Sequence, residues 1–227
     1  MRRIFALFLI LSLFAAPSAT AGTIPPLTAP IERILFVGNS ITRHAPKPDI
    51  GWGYAWGMAA SQPDKDYVHR VQLGVTARQG SIVEIAIISS DIAFPAGNMA
   101  ARIQAFAPDI IVIQMGNNSA KTTPIDVWRT QYQEIAQATD ARLIVVGLWG
   151  IVPDDNREDY VKTVAAEIGA QFVSIEDIFS AETTADIAMF ADVGVQWHPG
   201  DEGMQMIADR VLAAIYGETV WLPWVGN

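Results

Sequence analysis

The sequence predicts an α/β domain of three layers, in which a five-stranded parallel sheet lies between two layers of helices. Three observations carry this. Apolar runs such as Ile34–Val37 and Ile110–Ile113 suit parallel strands covered on both faces. Such runs alternate with helical segments, which implies right-handed crossovers. The 227 residues suffice for one sizeable core, and no repeat, low-complexity tract or composition break marks a second domain.

The first residues stand apart from that domain. Arg2 and Arg3 precede an apolar run, Ile4 to Ala16, too short to span a bilayer, and Ala19-Thr20-Ala21 forms a small-x-small cleavage site. This is the pattern of a secretory signal peptide over residues 1–21, leaving a mature domain of 22–227 that is secreted or periplasmic. No later stretch reaches membrane length, so no stable membrane insertion is expected after cleavage. Without Arg2 and Arg3, the 24 acidic residues outnumber the basic ones by 11. That balance disfavours nucleic acid and anionic lipid as partners. The absence of cysteine excludes disulfides, zinc–thiolate sites and a cysteine nucleophile.

The elements follow in order. Arg33 to Val37 is strand one, ended by Gly38 where the chain must turn. Residues 44–56 form a loop rich in Gly, Pro and large aromatics, and Ala55–Ser61 reads as a short helix. Val68–Val75 reads as strand two, with Gln79-Gly80-Ser81 in the turn beyond it. Ile82–Asp91 suits either period. Asn98–Ala107 is a helix stopped by Pro108, and Asp109–Met115 is the clearest strand, ending in Gly116-Asn117-Asn118. Pro124–Ala138 is a helix with proline near its first turn, and Arg142–Leu148 a fourth strand. Asn156–Ile168 is a helix closed by Gly169, and Gln171–Ile175 a fifth strand. A loop over Phe190–Pro199 leads to a last helix, Asp201–Tyr216, and Trp221–Trp224 is an apolar tail expected to pack back on the body.

In open α/β sheets, ligands bind beyond the carboxyl ends of the strands. Ser40, Asn118 and His198 fall there. Singly each is ordinary, as a helix cap, a turn residue and a packing histidine. Together they supply a hydroxyl nucleophile, an uncharged amide donor and a base. Pro199 and the helix after it give that base a rigid mount.

Gly38-Asn39-Ser40, Gly116-Asn117-Asn118 and His198-Pro199 resemble the three sequence blocks of the SGNH, or GDSL-like, hydrolases. The resemblance runs from about Ile34 to Ile215 and implies the same three-layer (flavodoxin-like) architecture and a serine esterase chemistry. It implies Ser40 as nucleophile and His198 as general base. The implied oxyanion hole comprises the Ser40 N–H, a glycine N–H, here assigned to Gly80, and the Asn118 side chain. The family's acid stands three residues before the histidine, and here that position is Val195. Asp192 takes its place if the loop bulges; otherwise a backbone carbonyl holds His198 and the site is a Ser-His dyad. A shift of three residues is large for a short loop, which favours the dyad.

The expected substrate is a small acyl ester, of acetyl type, on a small molecule or glycan. Trp52, Tyr54, Trp56 and Trp197 are candidates for a surface on which sugar rings stack. An acyltransferase using the same site, and a catalytically idle glycan-binding module, stay open. No cofactor is expected. The three widely separated histidines and the lack of a His-x-x-x-His pair argue against a metal site, and the lack of phosphate-binding glycine loops against a nucleotide.

Overall fold

The computed structural model describes residues 29–95, 97–151, 155–185 and 188–218. The signal-peptide pattern and the Trp221–Trp224 tail lie outside them. Five strands, β1 (Arg33–Gly38), β2 (Glu84–Ser89), β3 (Ile110–Gln114), β4 (Arg142–Val146) and β5 (Gln171–Val173), form one sheet in the order β2-β1-β3-β4-β5. All neighbours are parallel. This is a doubly wound order in which the first strand lies inside the sheet and the chain reverses direction between β1 and β3.

The alternation of side chains along each strand sorts the core into two halves. Ile34 and Phe36, with Ile110, Val112, Ile144 and Val146, face helices α1 (Tyr67–Gln79) and α6 (Asp201–Tyr216). Leu35 and Val37, with Ile111, Ile113, Leu143 and Val145, face α2 (Met99–Phe106), α3 (Ile125–Gln137) and α4 (Arg157–Glu167). A smaller third cluster of Trp52, Met58, Ala59, Ala185, Phe190 and Val195 ties the loop after β1 to the segment before α6. That segment holds a four-residue helix, α5 (Val193–Gln196). Among the described residues, no helix is long and apolar enough to cross a membrane.

Two expected elements are corrected. Val68–Val75 is not a strand but the body of α1. The Asp66 carboxylate caps the helix by accepting from the His69 N–H, and Gly80 ends it in the left-handed conformation. Val68, Val71 and Val75 are buried at helical spacing, which outweighs the strand preference of valine. A Cβ on Gly74 would stand 2.6 Å from the Leu212 side chain, so the glycine lets α1 lie close against α6. Strand two is therefore Glu84–Ser89, inside the stretch whose period was ambiguous. Ala55–Ser61 is not a helix but a run of turns and bends, which Asp66 holds by accepting from the Gly57 N–H at 3.0 Å.

Candidate active site

The register of the sheet brings three chain segments together. Gly38 pairs with Ser89 on one side and with Gln114 on the other, so the turns after β1, β2 and β3 lie side by side. A Cβ on Gly38 would overlap Thr42 Oγ1 and approach the Gln114 carbonyl to 2.5 Å. Only glycine allows so tight a turn there. Asn39 is buried and joins all three turns. Its Oδ1 accepts from the Gly116 N–H at 2.9 Å, and its Nδ2 donates to the carbonyls of Ser90 and Ile92 at 3.0 and 2.6 Å. The Asn39 carbonyl closes the turn by accepting from the Thr42 and Arg43 N–H groups. Ser40 stands at its crest, half-buried.

His198 reaches Ser40 from the other end of the chain. Its Nε2 is 2.7 Å from Ser40 Oγ, and its Nδ1 is 2.6 Å from the Gly194 carbonyl oxygen. A carbonyl oxygen only accepts, so Nδ1 carries the proton and Nε2 presents a lone pair to the hydroxyl. The loop that carries the ring is pinned at several points. Ala185 N–H donates to the His198 carbonyl, Trp149 Nε1 donates to the Trp197 carbonyl, and Gly200 N–H donates to Thr183. Burial pushes the imidazole down to about 4; the Gly194 carbonyl and the Asp192 charge oppose the shift, while nearby His44 adds to it. The ring is thus neutral at neutral pH, the form a general base needs.

The residue three before the histidine, Val195, has its side chain fully buried in the third apolar cluster. A carboxylate would be stranded there. The histidine proton goes instead to a main-chain carbonyl. Asp192 is spent otherwise: its Oδ1 accepts from the N–H groups of Gly194 and Val195 at 2.8 and 3.2 Å, capping α5.

Asn118 lies against the turn after β2. Its Nδ2 donates to the Asp91 carbonyl at 3.1 Å, leaving the second N–H of the amide free for another acceptor. The turn that carries it is fastened by Arg157, whose Nη1 donates to the carbonyls of Asn117 and Ser119 at 3.0 and 2.7 Å. Hydrogen bonds from Arg157 hold the Asp155 carboxyl at about 2, so it remains a charged anchor for that guanidinium. Asn117 also braces the turn, donating through Nδ2 to the Trp149 carbonyl at 2.8 Å.

Gly80 is not brought to the site. It ends α1, before β2 begins, at the amino edge of the sheet and opposite Ser40. The error follows directly from reading α1 as a strand. The turn that does lie beyond β2 is Ser90-Asp91, which contains no glycine. Among the described residues, the N–H groups of Ser40 and Asp91 have no protein acceptor.

The four aromatic candidates separate. Trp52 is wholly buried in the third cluster and offers no face to a ligand. Tyr54 is 45 % exposed and stacks on Trp56 at 4.3 Å. Trp197 is 36 % exposed and stands edge-on to the His198 ring at 5.6 Å. Gly150 seats it: a Cβ there would come within 2.7 Å of the indole, and the backbone is left-handed, φ 63°. Phe179, also exposed, lies 6.3 Å from Trp197 between ring centroids.

Sequence reasoning missed Asn39, Asp91, Arg157 and His44 as parts of this site. His44 is buried, with Nε2 3.4 Å from an Asp91 carboxylate oxygen. Asn39 carried a signal, since it stands inside the first block. The others are recognisable only once the turns are in place.

Comparisons with known proteins bear on the fold and the family. Searching curated protein sequences finds no significant match. Among solved structures, the chain is similar to a two-domain esterase active on acetylated mannans, at 15 % identity and a TM-score of 0.53. That match covers 83 % of this chain and 50 % of the esterase, so this chain spans about half its length. It is similar to a GDSL-like lipase from Parabacteroides merdae, at 16 % identity and a TM-score of 0.54, over 85 % of this chain and 99 % of the other. A protein from Lactobacillus plantarum matches at 14 % identity and a TM-score of 0.53, over 85 % and 100 % of the two chains. At these identities the likeness is one of fold. The sequence model of the GDSL-like lipase/acylhydrolase family matches residues 36–206, well over half of the chain and the whole span from Ser40 to His198, and the protein belongs to that family.

Proposed function

We propose that the protein is an exported serine esterase that removes a small acyl group, of acetyl type, from a carbohydrate or similar polar alcohol. The observation that carries this reading is the 2.7 Å contact between Ser40 Oγ and the unprotonated Nε2 of His198 at the carboxyl edge of the sheet. Ser40 Oγ attacks the ester carbonyl carbon as Nε2 takes its proton. The oxyanion that forms is met by the Ser40 N–H, one N–H of the Asn118 amide and, in place of Gly80, the Asp91 N–H of the turn beyond β2. Collapse expels the alcohol, which takes the proton from Nε2. Water then cleaves the acyl-serine with the same imidazole as base.

Support for a carbohydrate alcohol is of two kinds. Trp197 and Phe179 expose aromatic surface beside His198, where the leaving alcohol departs, and aromatic faces suit the apolar faces of sugar rings. A structural neighbour acts on acetylated mannans. Export rests on the pattern of Arg2 to Ala21.

Release of nitrophenol from p-nitrophenyl acetate by the purified protein, with Ser40→Ala and His198→Ala alongside, tests the reading. Turnover that vanishes in both folded variants is the expected result. Turnover that survives in either removes that residue from its role, and an inactive parent protein that binds polysaccharide would favour an idle binding module.

A further inference from the structure

We propose that Asp192 acts on His198 through a peptide group, so that the acid missing at position 195 is supplied at one remove. The Gly194–Val195 peptide unit lies between the two side chains. Its N–H donates to Asp192 Oδ1 at 3.2 Å, and its C=O accepts from His198 Nδ1–H at 2.6 Å. The chain Asp192–peptide–His198–Ser40 has one hydrogen bond at each joint. This rests on the reading of Ser40 and His198 given above and extends it to a residue that does not touch the substrate.

An amide is polarised by what it bonds at both ends. A carboxylate on the N–H pushes electron density onto the carbonyl oxygen and makes it a better acceptor, and bonds in such a row strengthen one another by roughly 10–30 % each. A better acceptor at Nδ1 steadies the imidazolium formed when Nε2 takes the serine proton. This is the service a directly bonded carboxylate gives in a triad.

The surrounding structure holds the peptide in this pose. Asp192 Oδ1 also accepts from the Gly194 N–H at 2.8 Å. The Asp192 carbonyl accepts from the Gln196 N–H, and Gln196 Nε2 donates back to the Phe190 carbonyl. Burial of the Val195 side chain sets the rotation of the turn. The His198 N–H donates to the Val195 carbonyl at 3.0 Å, so acid, relay and base share one turn of chain. Asp192 is therefore a positioning and polarising residue, not a catalytic one.

Among the described residues, two charged or titratable side chains act on the ring. Asp192 favours its protonated form and His44 disfavours it. Asp91, exposed, faces His44. Loss of the Asp192 charge therefore lowers the pH at which His198 titrates.

The test separates the cap from the charge. Asp192→Asn and Asp192→Ser keep a capping oxygen without the charge, and Asp192→Ala loses both. In the full-length protein, the rate on p-nitrophenyl acetate is followed from about pH 8 to about pH 3, and the His198 imidazole is titrated by nuclear magnetic resonance. The relay predicts that the Asn and Ser variants keep the parent's melting temperature and lose about tenfold in kcat, with the titration of His198 moved to lower pH. An unmoved titration overturns the relay whatever the rates do, because a carboxylate that acts on His198 must steady its protonated form. A loss of about 10⁴-fold in the Asn variant also overturns it, since that is the mark of a carboxylate bonded directly to the ring. The titration needs no turnover, so an unmoved value overturns the relay even if the parent protein lacks Ser40-dependent activity and the esterase reading fails.

Discussion

Ser40 Oγ and His198 Nε2 are 158 residues apart in the chain and 2.7 Å apart in space. The contact is made from two turns that the core holds rigidly, one after β1 and one before α6. Its consequence for pH is specific. Burial holds the imidazole at about 4, against an ordinary value of about 6.5. Esterase activity should therefore stay level from about pH 8 to about pH 5.5 and fall as the pH drops through about 4. A pH–rate profile of kcat/KM checks this, and a limb between about 6 and 7 would show that the ring is not desolvated in the free protein.

The same shift affects stability, with a defined sign. The unfolded chain binds a proton at this histidine below about 6.5, and the folded protein only below about 4. Stability from this group is complete above about 6.5 and is lost as the pH falls toward about 4, in all by roughly 3 kcal/mol. Urea unfolding at several pH values measures it, and His198→Gln should remove that part of the pH dependence.

Asn118 and Gly80 make opposite predictions. Asn118→Ala removes a donor at the site and should lower kcat by about 10²–10³-fold, with little change in fold stability. Gly80→Ala meets no neighbouring atom but places an alanine at φ 72°. It should cost about 1–2 kcal/mol of stability and leave kcat unchanged. Paired kinetics and thermal denaturation distinguish the two, and a large kcat loss in the Gly80 variant would return that glycine to the site.

Trp52 and Trp197 likewise separate core from surface. Trp52→Ala opens a cavity in the cluster shared with Val195 and Phe190 and should cost about 3–5 kcal/mol. Trp197→Ala removes a partly exposed ring and should leave the melting temperature near that of the parent. Its kcat/KM on an acetylated oligosaccharide should fall about tenfold, with a smaller loss on p-nitrophenyl acetate. Equal losses on both substrates would argue against a sugar-binding role.

How much of this was legible in the sequence differs by residue. Strands β1, β3 and β4 were readable because continuous apolar runs have few other uses in a domain of this size. Helix α1 was not, because its valines and Gly74 carry strand and turn preferences that tertiary packing overrides. That one slip moved the expected strand two ahead of its true place and chose Gly80 at the wrong edge. The meeting of Ser40 and His198 was legible because each stands at a strand end or loop mount within a short motif. The partner of His198 was not, because a main-chain carbonyl leaves no mark on side-chain pattern; Val195 only announced that the usual acid was missing. The burial of Trp52 depends on Phe190 and Val195, far along the chain, and no local rule predicts it.

The proposed acyl-transfer site depends above all on Ser40 as its nucleophile. The most direct test of that role is reaction of the full-length protein with an alkyl p-nitrophenyl phosphonate, followed by peptide mass spectrometry. A single phosphonyl group on the Ser40 peptide, formed as esterase activity is lost, and no labelling of the Ser40→Ala variant are the expected results. Stoichiometric labelling at another residue, or an active parent that resists the phosphonate, would contradict that role.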